Sequence, residues 1–175
     1  MTIRECKLPP DALLRRYYRD DGHVDCFQVD VPGRIELGHY VEAFYTTWLF
    51  KAERTILTLA GHSSTDAEAA SLAGGQGTRF AAWAVEERDE VQLLMRDVMG
   101  RTRSWFKVAR MTAENSERTM LYFGSGVTAV ATGKSGRMSL GPVFKTLMPV
   151  HIIYSRALLA ATLRKIAPSG SKVTA

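Results

Sequence analysis

The hydrophobic positions in the first third of the chain predict one strand followed by a long helix. In the segment His23–Val31, apolar Phe27, Val29 and Val31 alternate with polar residues, a pattern typical of a strand with one apolar face. From Ile35 to Ala60 the apolar positions recur every three or four residues, and a glycine stands where a helix would stop. This second segment is predicted to form an amphipathic helix.

The next segments predict a second helix and then several strands. Thr65-Asp66-Ala67-Glu68 has the capping-box pattern, in which the threonine hydroxyl and the glutamate carboxylate bond free backbone N–H groups. It predicts a helix that ends at Gly74-Gly75. The residues that follow are rich in aromatic and β-branched side chains, with turn sequences between them. They predict an antiparallel meander with strands at 80–86, 91–97, 101–110 and 118–130.

The strand at 101–110 is expected to present two different faces, because successive side chains of a strand point to opposite sides. One face would carry Thr102, Ser104, Phe106 and Val108, and the other would carry Arg101, Arg103, Trp105 and Lys107. The second of these faces is therefore predicted to be wet and basic. In the last strand, Gly124 and Gly126 predict a bulge or a sharp bend of the sheet.

The segment between Leu140 and Ala167 predicts a long C-terminal helix, in which Pro149 either makes a kink or begins the main part. Beyond Pro149, large apolar residues cluster on one side of this helix and small residues on another. A helix that is apolar on two sides is usually covered on both. We expect a curved sheet on one side and another helix or a second subunit on the other, so a homodimer is one expectation.

Length and composition favour a single domain over residues 1–167, followed by a disordered tail at 168–175. The chain has 175 residues, of which 46% are hydrophobic, enough for one well-buried core. The N-terminus has no continuous apolar segment of the kind found in signal peptides, and we expect a cytoplasmic protein. Cys6 and Cys26 lack zinc-ligand spacing, and we expect free thiols with no metal and no cofactor.

The formal charge of +5 is unevenly distributed along the chain. The last acidic residue is Glu117, and everything after it carries only basic side chains. The basic residues of this segment are Arg118, Lys134, Arg137, Lys145, Arg156, Arg164, Lys165 and Lys172. Such a segment could face an anionic ligand or a membrane surface. The charges are dispersed, which favours a solvated basic face and argues against a nucleic-acid site.

Five stretches between residues 38 and 159 carry a resemblance to a known superfamily. They are GHYVEAFYTTWLFKAERTIL, STDAEAASLAGG, GRTRSWFKV, LYFGSGV and HIIYSRALL. They look like an uncharacterised bacterial family that we associate with START lipid-transfer domains, plant pathogenesis-related proteins and polyketide cyclases. The predicted order of elements is also similar to the helix-grip fold of that superfamily. The resemblance implies an α+β fold whose curved antiparallel sheet packs around the C-terminal helix, with an apolar or amphipathic ligand between them.

His151 and Tyr154 are the best polar pair in the sequence for ligand chemistry. They lie about one turn apart on the predicted closing helix, so their side chains share a neighbourhood. A neutral histidine exchanges protons near pH 7, and a tyrosine hydroxyl can donate to a carbonyl. The alternative is that both are core residues with satisfied hydrogen bonds. The residues expected to line a ligand pocket are Arg103, Trp105, Phe106, Tyr122, His151 and Tyr154, although core packing alone would explain the aromatic ones.

Three functions are compatible with these patterns. The one that the sequence favours is a non-enzymatic protein that binds a small apolar or aromatic molecule, which could also carry an anionic group. The second is an enzyme of the cyclase or dehydratase type, with His151 as proton carrier, Tyr154 as donor and Arg103 as anion clamp. The third is a protein whose basic C-terminal third docks on a membrane or on a partner protein.

Overall fold

The computed structural model describes residues 1–18, 22–113, 116–128, 130–132, 137–139 and 142–166. Its strands are β1 (Arg4–Glu5), β2 (His23–Pro32), β3 (Arg79–Phe80), β4 (Trp83–Arg88), β5 (Gln92–Asp97), β6 (Thr102–Ala113), β7 (Ser116–Val127), β8 (Val130–Thr132) and β9 (Arg137–Ser139). Its helices are a 3-10 helix (Leu13–Tyr17), α1 (Leu37–Tyr45), α2 (Trp48–Leu59), α3 (Asp66–Ala73) and α4 (Pro142–Ile166). The predicted tail at 168–175 lies outside the described residues.

The seven strands β1 to β7 form one antiparallel sheet in the order β1-β2-β7-β6-β5-β4-β3, and β8 pairs with β9. One face of the sheet, here called the inner face, packs against α1 to α4. The opposite face, the outer face, packs against the 3-10 helix. This arrangement confirms the predicted α+β class and is a helix-grip-like layout.

The structure divides the helix predicted over 35–60 into α1 and α2. The side chain of Thr47 accepts a hydrogen bond of 3.1 Å from the Phe50 N–H group and so caps the start of α2. The hydroxyls of Thr46 and Thr47 also donate to backbone carbonyls of α1. Threonine side chains that bond the nearby backbone offer it an alternative to a continuous helix. Three helices, rather than the predicted two, therefore lie between β2 and β3.

The helix predicted after Thr65 and the predicted C-terminal helix are both present, as α3 and α4. Thr65 and Glu68 form the predicted capping box, and α3 ends at Gly74, which is followed by Gly75 with a φ of 83°. The closing helix α4 begins at Pro142, so Pro149 lies inside it rather than at its start. Within the described part of the chain, no helix combines the length and apolar character that a membrane crossing requires.

Aromatic side chains form the centre of the core on the inner face. Phe44 of α1 lies with its ring centroid 4.8 Å from that of Phe106 and 4.9 Å from that of Phe123. Leu159 and Leu163 of α4 are fully buried in the same cluster. Phe106, which was predicted to line a ligand pocket, therefore lies within the packed core.

The outer face carries basic side chains, as predicted, but these side chains are buried rather than exposed to solvent. Trp105 is 0% exposed, Arg103 is 8% exposed and Lys107 is 6% exposed. The indole N–H of Trp105 donates to Gln92 Oε1 at 3.0 Å, and the same oxygen accepts the Leu13 N–H at 3.1 Å. The N-terminal segment is thus held over this face, which the alternation of side chains within one strand could not indicate.

Gly124 and Gly126 do not make the predicted bulge. The pairing of β7 with β2 and β6 keeps one continuous register through both glycines. A Cβ atom at Gly124 would lie 3.0 Å from both Leu14 Cδ2 and Trp105 Cε3, and one at Gly126 would lie 3.0 Å from Leu14 Cδ1. These glycines are needed because the 3-10 helix packs directly on β7.

Candidate functional site

A cavity of about 230 Å³ lies between the inner face of the sheet, α2 and α4. Its apolar lining comes from Phe44, Tyr45, Phe50, Trp83, Phe123, Val127 and Leu158. The polar side chains that border it include Glu53, Thr102, Ser104, Ser125, His151, Tyr154 and Ser155. The cavity therefore has the composition of a small-molecule site, mainly apolar with a few polar groups.

A cluster of four polar side chains, here called the Asp25 cluster, forms where β2 and β7 meet α4. The register places Asp25 opposite Ser125, and Asp25 Oδ1 accepts from the Ser125 N–H at 3.0 Å and from its hydroxyl at 2.8 Å. His151 Nε2 lies 2.7 Å from Ser125 Oγ and 3.5 Å from Asp25 Oδ2. His23 Nε2 lies 3.7 Å from the same Asp25 oxygen.

The surroundings of Asp25 favour its charged form. Burial raises the pKa of Asp25, but the nearby imidazoles of His151 and His23 and the two hydrogen bonds from Ser125 outweigh that effect, and the pKa lies well below its ordinary value. The side chain of Asp25 is only 4% exposed, whereas that of His151 is 32% exposed. A buried carboxylate thus lies beneath an imidazole that solvent or a ligand can reach.

The geometry of the Asp25 cluster differs from that of a Ser-His-Asp triad. In a triad the carboxylate binds the ring nitrogen that faces away from the serine. Here both Asp25 Oδ2 and Ser125 Oγ lie next to Nε2 of His151. When the Ser125 hydroxyl donates to Asp25, the contact with His151 requires an N–H at Nε2 that donates to Ser125 Oγ. The cluster therefore does not have the arrangement of a nucleophilic serine triad.

A second polar pair, Glu53 of α2 and Tyr154 of α4, borders the cavity. The Tyr154 hydroxyl donates to a carboxylate oxygen of Glu53. Burial raises the pKa of Glu53, and the hydrogen bond from Tyr154 offsets this only in part. Burial and the neighbouring carboxylate both raise the pKa of Tyr154. Glu53 is therefore a carboxyl group with an increased tendency to keep its proton.

Tyr45 lines the cavity and carries a buried hydroxyl group. The residue is 2% exposed, and its hydroxyl has no hydrogen-bond partner among the residues that the structure describes. Burial raises the pKa of Tyr45, and the charge of Glu53 adds to this. On the same helix, Tyr40 is equally buried, but its hydroxyl donates to the Tyr122 carbonyl at 3.2 Å. The two tyrosines differ in that the hydroxyl of Tyr45 retains capacity for a further bond.

The structure brings together two of the predicted site residues, His151 and Tyr154, at the cavity. Trp105 and Tyr122 instead pack together on the outer face, with ring centroids 6.1 Å apart. A ligand between the sheet and α4 would therefore not reach their side chains.

Arg103 borders the cavity at β6, but its guanidinium is bound elsewhere. It donates to Glu86 at 3.3 Å and to the Gly100 carbonyl at 2.6 Å, and it lies 4.2 Å from the centroid of the Tyr17 ring. These contacts hold the 3-10 helix and the neighbouring strands together. They leave the guanidinium poorly placed for the predicted role of anion clamp.

Sequence reasoning missed Asp25, Ser125 and Glu53. Asp25 has the same strand parity as apolar Phe27, and a carboxylate on the apolar face of a strand is a detectable signal. Glu53 lies three residues after the buried Phe50, on the same face of α2. Nothing in the sequence alone indicated that Ser125 would lie opposite Asp25, because strand pairing joins residues far apart in the chain.

Several basic residues of the C-terminal third are bound within the molecule. Arg118 donates to both carboxylate oxygens of Asp30, at 2.8 and 2.9 Å. Lys165 donates to the Thr46 carbonyl at 3.1 Å. Arg164 is exposed. No observation on the described part of this segment favours membrane or partner docking, which stays a prediction.

Neither the protein-family models nor the curated proteins contain a match to this chain. The described residues also include no group of three or more histidine, cysteine, aspartate or glutamate side chains arranged to hold a metal ion. The geometry of the cavity is therefore the basis for any functional proposal.

Proposed function

We propose that this protein binds a small, mainly apolar molecule in the cavity between the sheet and α4. The observation that carries the proposal is the buried hydroxyl of Tyr45, a residue that lines the cavity, because this hydroxyl has no partner in the described part of the chain. A buried polar group without a partner costs about 1–3 kcal/mol. A ligand that accepts or donates a hydrogen bond at Tyr45 would recover that free energy.

The size of the cavity supports a ligand with one ring. At about 230 Å³ the cavity exceeds the ~150 Å³ that can hold benzene, and it falls below the roughly 300 Å³ at which drug-sized sites begin. Aromatic walls such as Phe50 and Trp83 complement an aromatic or alicyclic ring.

The charges around the cavity support a neutral ligand rather than the anionic one that the sequence allowed. The carboxyl group of Glu53 lines the cavity, the carboxylate of Asp25 lies behind the lining residues Ser125 and His151, and the Arg103 guanidinium is engaged on the outer face. An anionic group would be repelled by a charged Asp25. Hydroxyl or carbonyl groups can instead bond Tyr45, Glu53 or His151.

The helix-grip-like layout also supports a relationship to the START and polyketide cyclase-like superfamily, which we include in the proposal. The relationship agrees with the function because it implies a ligand between the sheet and the C-terminal helix. The predicted cytoplasmic location and homodimer are separate from this argument and stay predictions.

Native mass spectrometry of the protein purified from its own host tests the proposal. We expect a co-purifying molecule on the wild type and its loss in Ser155→Phe, because Ser155 borders the cavity and is 2% exposed. Ile153→Phe is the matched control, since Ile153 lies on the same helix and is 68% exposed. Circular dichroism checks that both variants fold. A molecule retained by folded Ser155→Phe would contradict binding in this cavity.

A second candidate function, proton-transfer catalysis in the same cavity, is favoured by the Asp25 cluster. His151 lies over a buried carboxylate, and Glu53 has a raised pKa, which are features of acid–base sites. Deuterium exchange from D₂O into cyclohexanone, followed by mass spectrometry, measures proton abstraction next to a carbonyl. Catalysis predicts exchange above the buffer rate in the wild type and its loss in His151→Gln. Equal exchange in both proteins would leave binding as the only function supported.

A further inference from the structure

The two cysteines of the chain lie next to each other, Cys6 directly after β1 and Cys26 within β2. The pairing of β1 with β2 places Arg4 opposite Gln28 and Glu5 opposite Phe27. The next residue pair in this register is Cys6 and Cys26, and the Cys6 N–H donates to the Cys26 carbonyl at 2.9 Å. Their Sγ atoms are 3.0 Å apart, and both thiols are free.

This geometry is suitable for a disulfide. Directly opposite residues of a hydrogen-bonded antiparallel pair have Cα atoms about 5.5 Å apart. Disulfides join residues whose Cα atoms are roughly 4.4–6.8 Å apart, with an Sγ–Sγ bond of about 2.05 Å. Closing the bond therefore needs a movement of roughly 1 Å between the sulfur atoms and no change of strand register.

The two thiols differ in their access to solvent. Cys6 is partly exposed and Cys26 is buried. Both border a cleft of about 370 Å³ on the molecular surface, whose charged lining residues are Lys7, Arg15 and Asp25. The hydrogen bond with Cys26 lowers the pKa of Cys6 and outweighs burial and the charge of Glu5, which raise it. Cys6 is therefore the thiol that a small oxidant meets first.

We propose that Cys6 and Cys26 form a peroxide-responsive pair that closes into an intramolecular disulfide between β1 and β2. The Cys6 thiolate attacks one oxygen of a hydroperoxide and breaks the O–O bond, giving a sulfenic acid at Cys6 and an alkoxide or hydroxide that takes up a proton. Cys26 then attacks the Cys6 sulfur. The S–O bond breaks, and the hydroxide leaves as water with the Cys26 proton. The two thiols are oxidised, and the peroxide is reduced.

The test is exposure of the fully reduced, full-length protein to hydrogen peroxide, followed by unfolding, alkylation with N-ethylmaleimide and mass spectrometry. We expect complete loss of both alkylation sites, a mass lower by two hydrogen atoms, and a cross-link between the tryptic fragments that contain Cys6 and Cys26. Dithiothreitol should restore both alkylation sites. This measurement needs no ligand, so its outcome is separate from that of the binding proposal.

Two single variants control the assignment of roles. In Cys26→Ser, Cys6 should accumulate as a sulfenic acid that dimedone traps. In Cys6→Ser, Cys26 should stay reduced during the same exposure and should then react with N-ethylmaleimide after unfolding, because it is buried and has no partner thiol. The proposal is overturned if the peroxide-treated wild type is still alkylated at both cysteines. It is also overturned if the protein gains oxygen atoms without a cross-link, or forms only disulfide-linked dimers.

Discussion

The two faces of the sheet bury polar groups in different ways. On the outer face, Gln92 accepts from Trp105 and Leu13 and donates to the Asp11 carbonyl, and Lys107 donates to the Asp11 carboxylate. On the inner face, the Tyr45 hydroxyl has no partner in the described part of the chain. Glu53 is half-buried there, and burial raises its pKa.

The difference is whether the buried polar groups have hydrogen-bond partners within the protein. Buried polar groups that satisfy one another hold elements together, and they have no free capacity for a ligand. Buried polar groups with unused capacity lower stability unless something else binds them. The outer face thus fastens the N-terminal segment, whereas the inner face leaves the Tyr45 hydroxyl without a described partner, and the proposed binding of a small molecule rests on this difference.

The largest effect is expected on the outer face, from Trp105→Ala. Trp105 is fully buried and bonds Gln92, so its removal should lower the free energy of unfolding by about 3–5 kcal/mol. Urea denaturation measures this change. Trp48→Ala is the control, because Trp48 is 70% exposed and should cost less than about 0.5 kcal/mol. Similar costs for both variants would show that the outer network does not stabilise the fold.

A smaller loss is expected on the inner face, from Asp25→Asn. The substitution removes charged hydrogen bonds and should lower the free energy of unfolding by about 1.5–3 kcal/mol at neutral pH. Since folding lowers the pKa of Asp25, its contribution is present above the ordinary value of 3.8 and is lost as the pH falls below it. Urea denaturation at several pH values should show the two proteins converging in acid. A difference that does not depend on pH would contradict a charged Asp25.

Glu53→Gln should raise the free energy of unfolding at neutral pH, the opposite of the effect expected for Asp25→Asn. Because folding raises the pKa of Glu53, its stabilising contribution is present below the ordinary value of 4.5 and is lost as the pH rises above it. At neutral pH the variant should be more stable than the wild type by about 1 kcal/mol in thermal or urea unfolding. Glu42→Gln, at an exposed position of α1, should change stability little. A destabilised Glu53→Gln would mean that the carboxylate is well satisfied.

The smallest effects are expected from the two buried tyrosines of α1. Tyr45→Phe removes a hydroxyl without a described partner and should raise the free energy of unfolding by about 1 kcal/mol. Tyr40→Phe removes a hydroxyl that donates to the Tyr122 carbonyl and should lower it by about 1 kcal/mol. Urea denaturation of both variants shows directly whether each substitution raises or lowers the free energy of unfolding. Destabilisation of the same size in both would show that the Tyr45 hydroxyl is already satisfied.

The sequence predicted those parts of the fold that depend on local patterns. Alternation predicted the strand that begins at His23, and the Thr65 capping box predicted α3, because each signal lies within a few residues. The break at Thr46-Thr47 was missed because apolar positions continue through it. The N-terminal cover of the outer face was missed because Gln92 and Leu13 are distant in the chain.

The candidate site was predicted only in part for the same reason. His151 and Tyr154 are three residues apart on one helix, so their proximity could be read directly. Asp25 and Ser125 come together only through the register of β2 with β7, and Glu53 meets Tyr154 only through packing of α2 on α4. The placement of Trp105 depended on which face of the sheet the helices cover, which one strand cannot specify.

Binding of phenol to the wild type, Tyr45→Phe and Tyr40→Phe tests the central claim most directly. Phenol is neutral, has one ring and carries one hydroxyl group, and its affinity can be measured by titration with detection of protein NMR shifts. The account predicts saturable binding to the wild type, roughly fivefold or more weaker binding to Tyr45→Phe, and unchanged binding to Tyr40→Phe. Absence of binding to the wild type, or equal affinity for wild type and Tyr45→Phe, would contradict it.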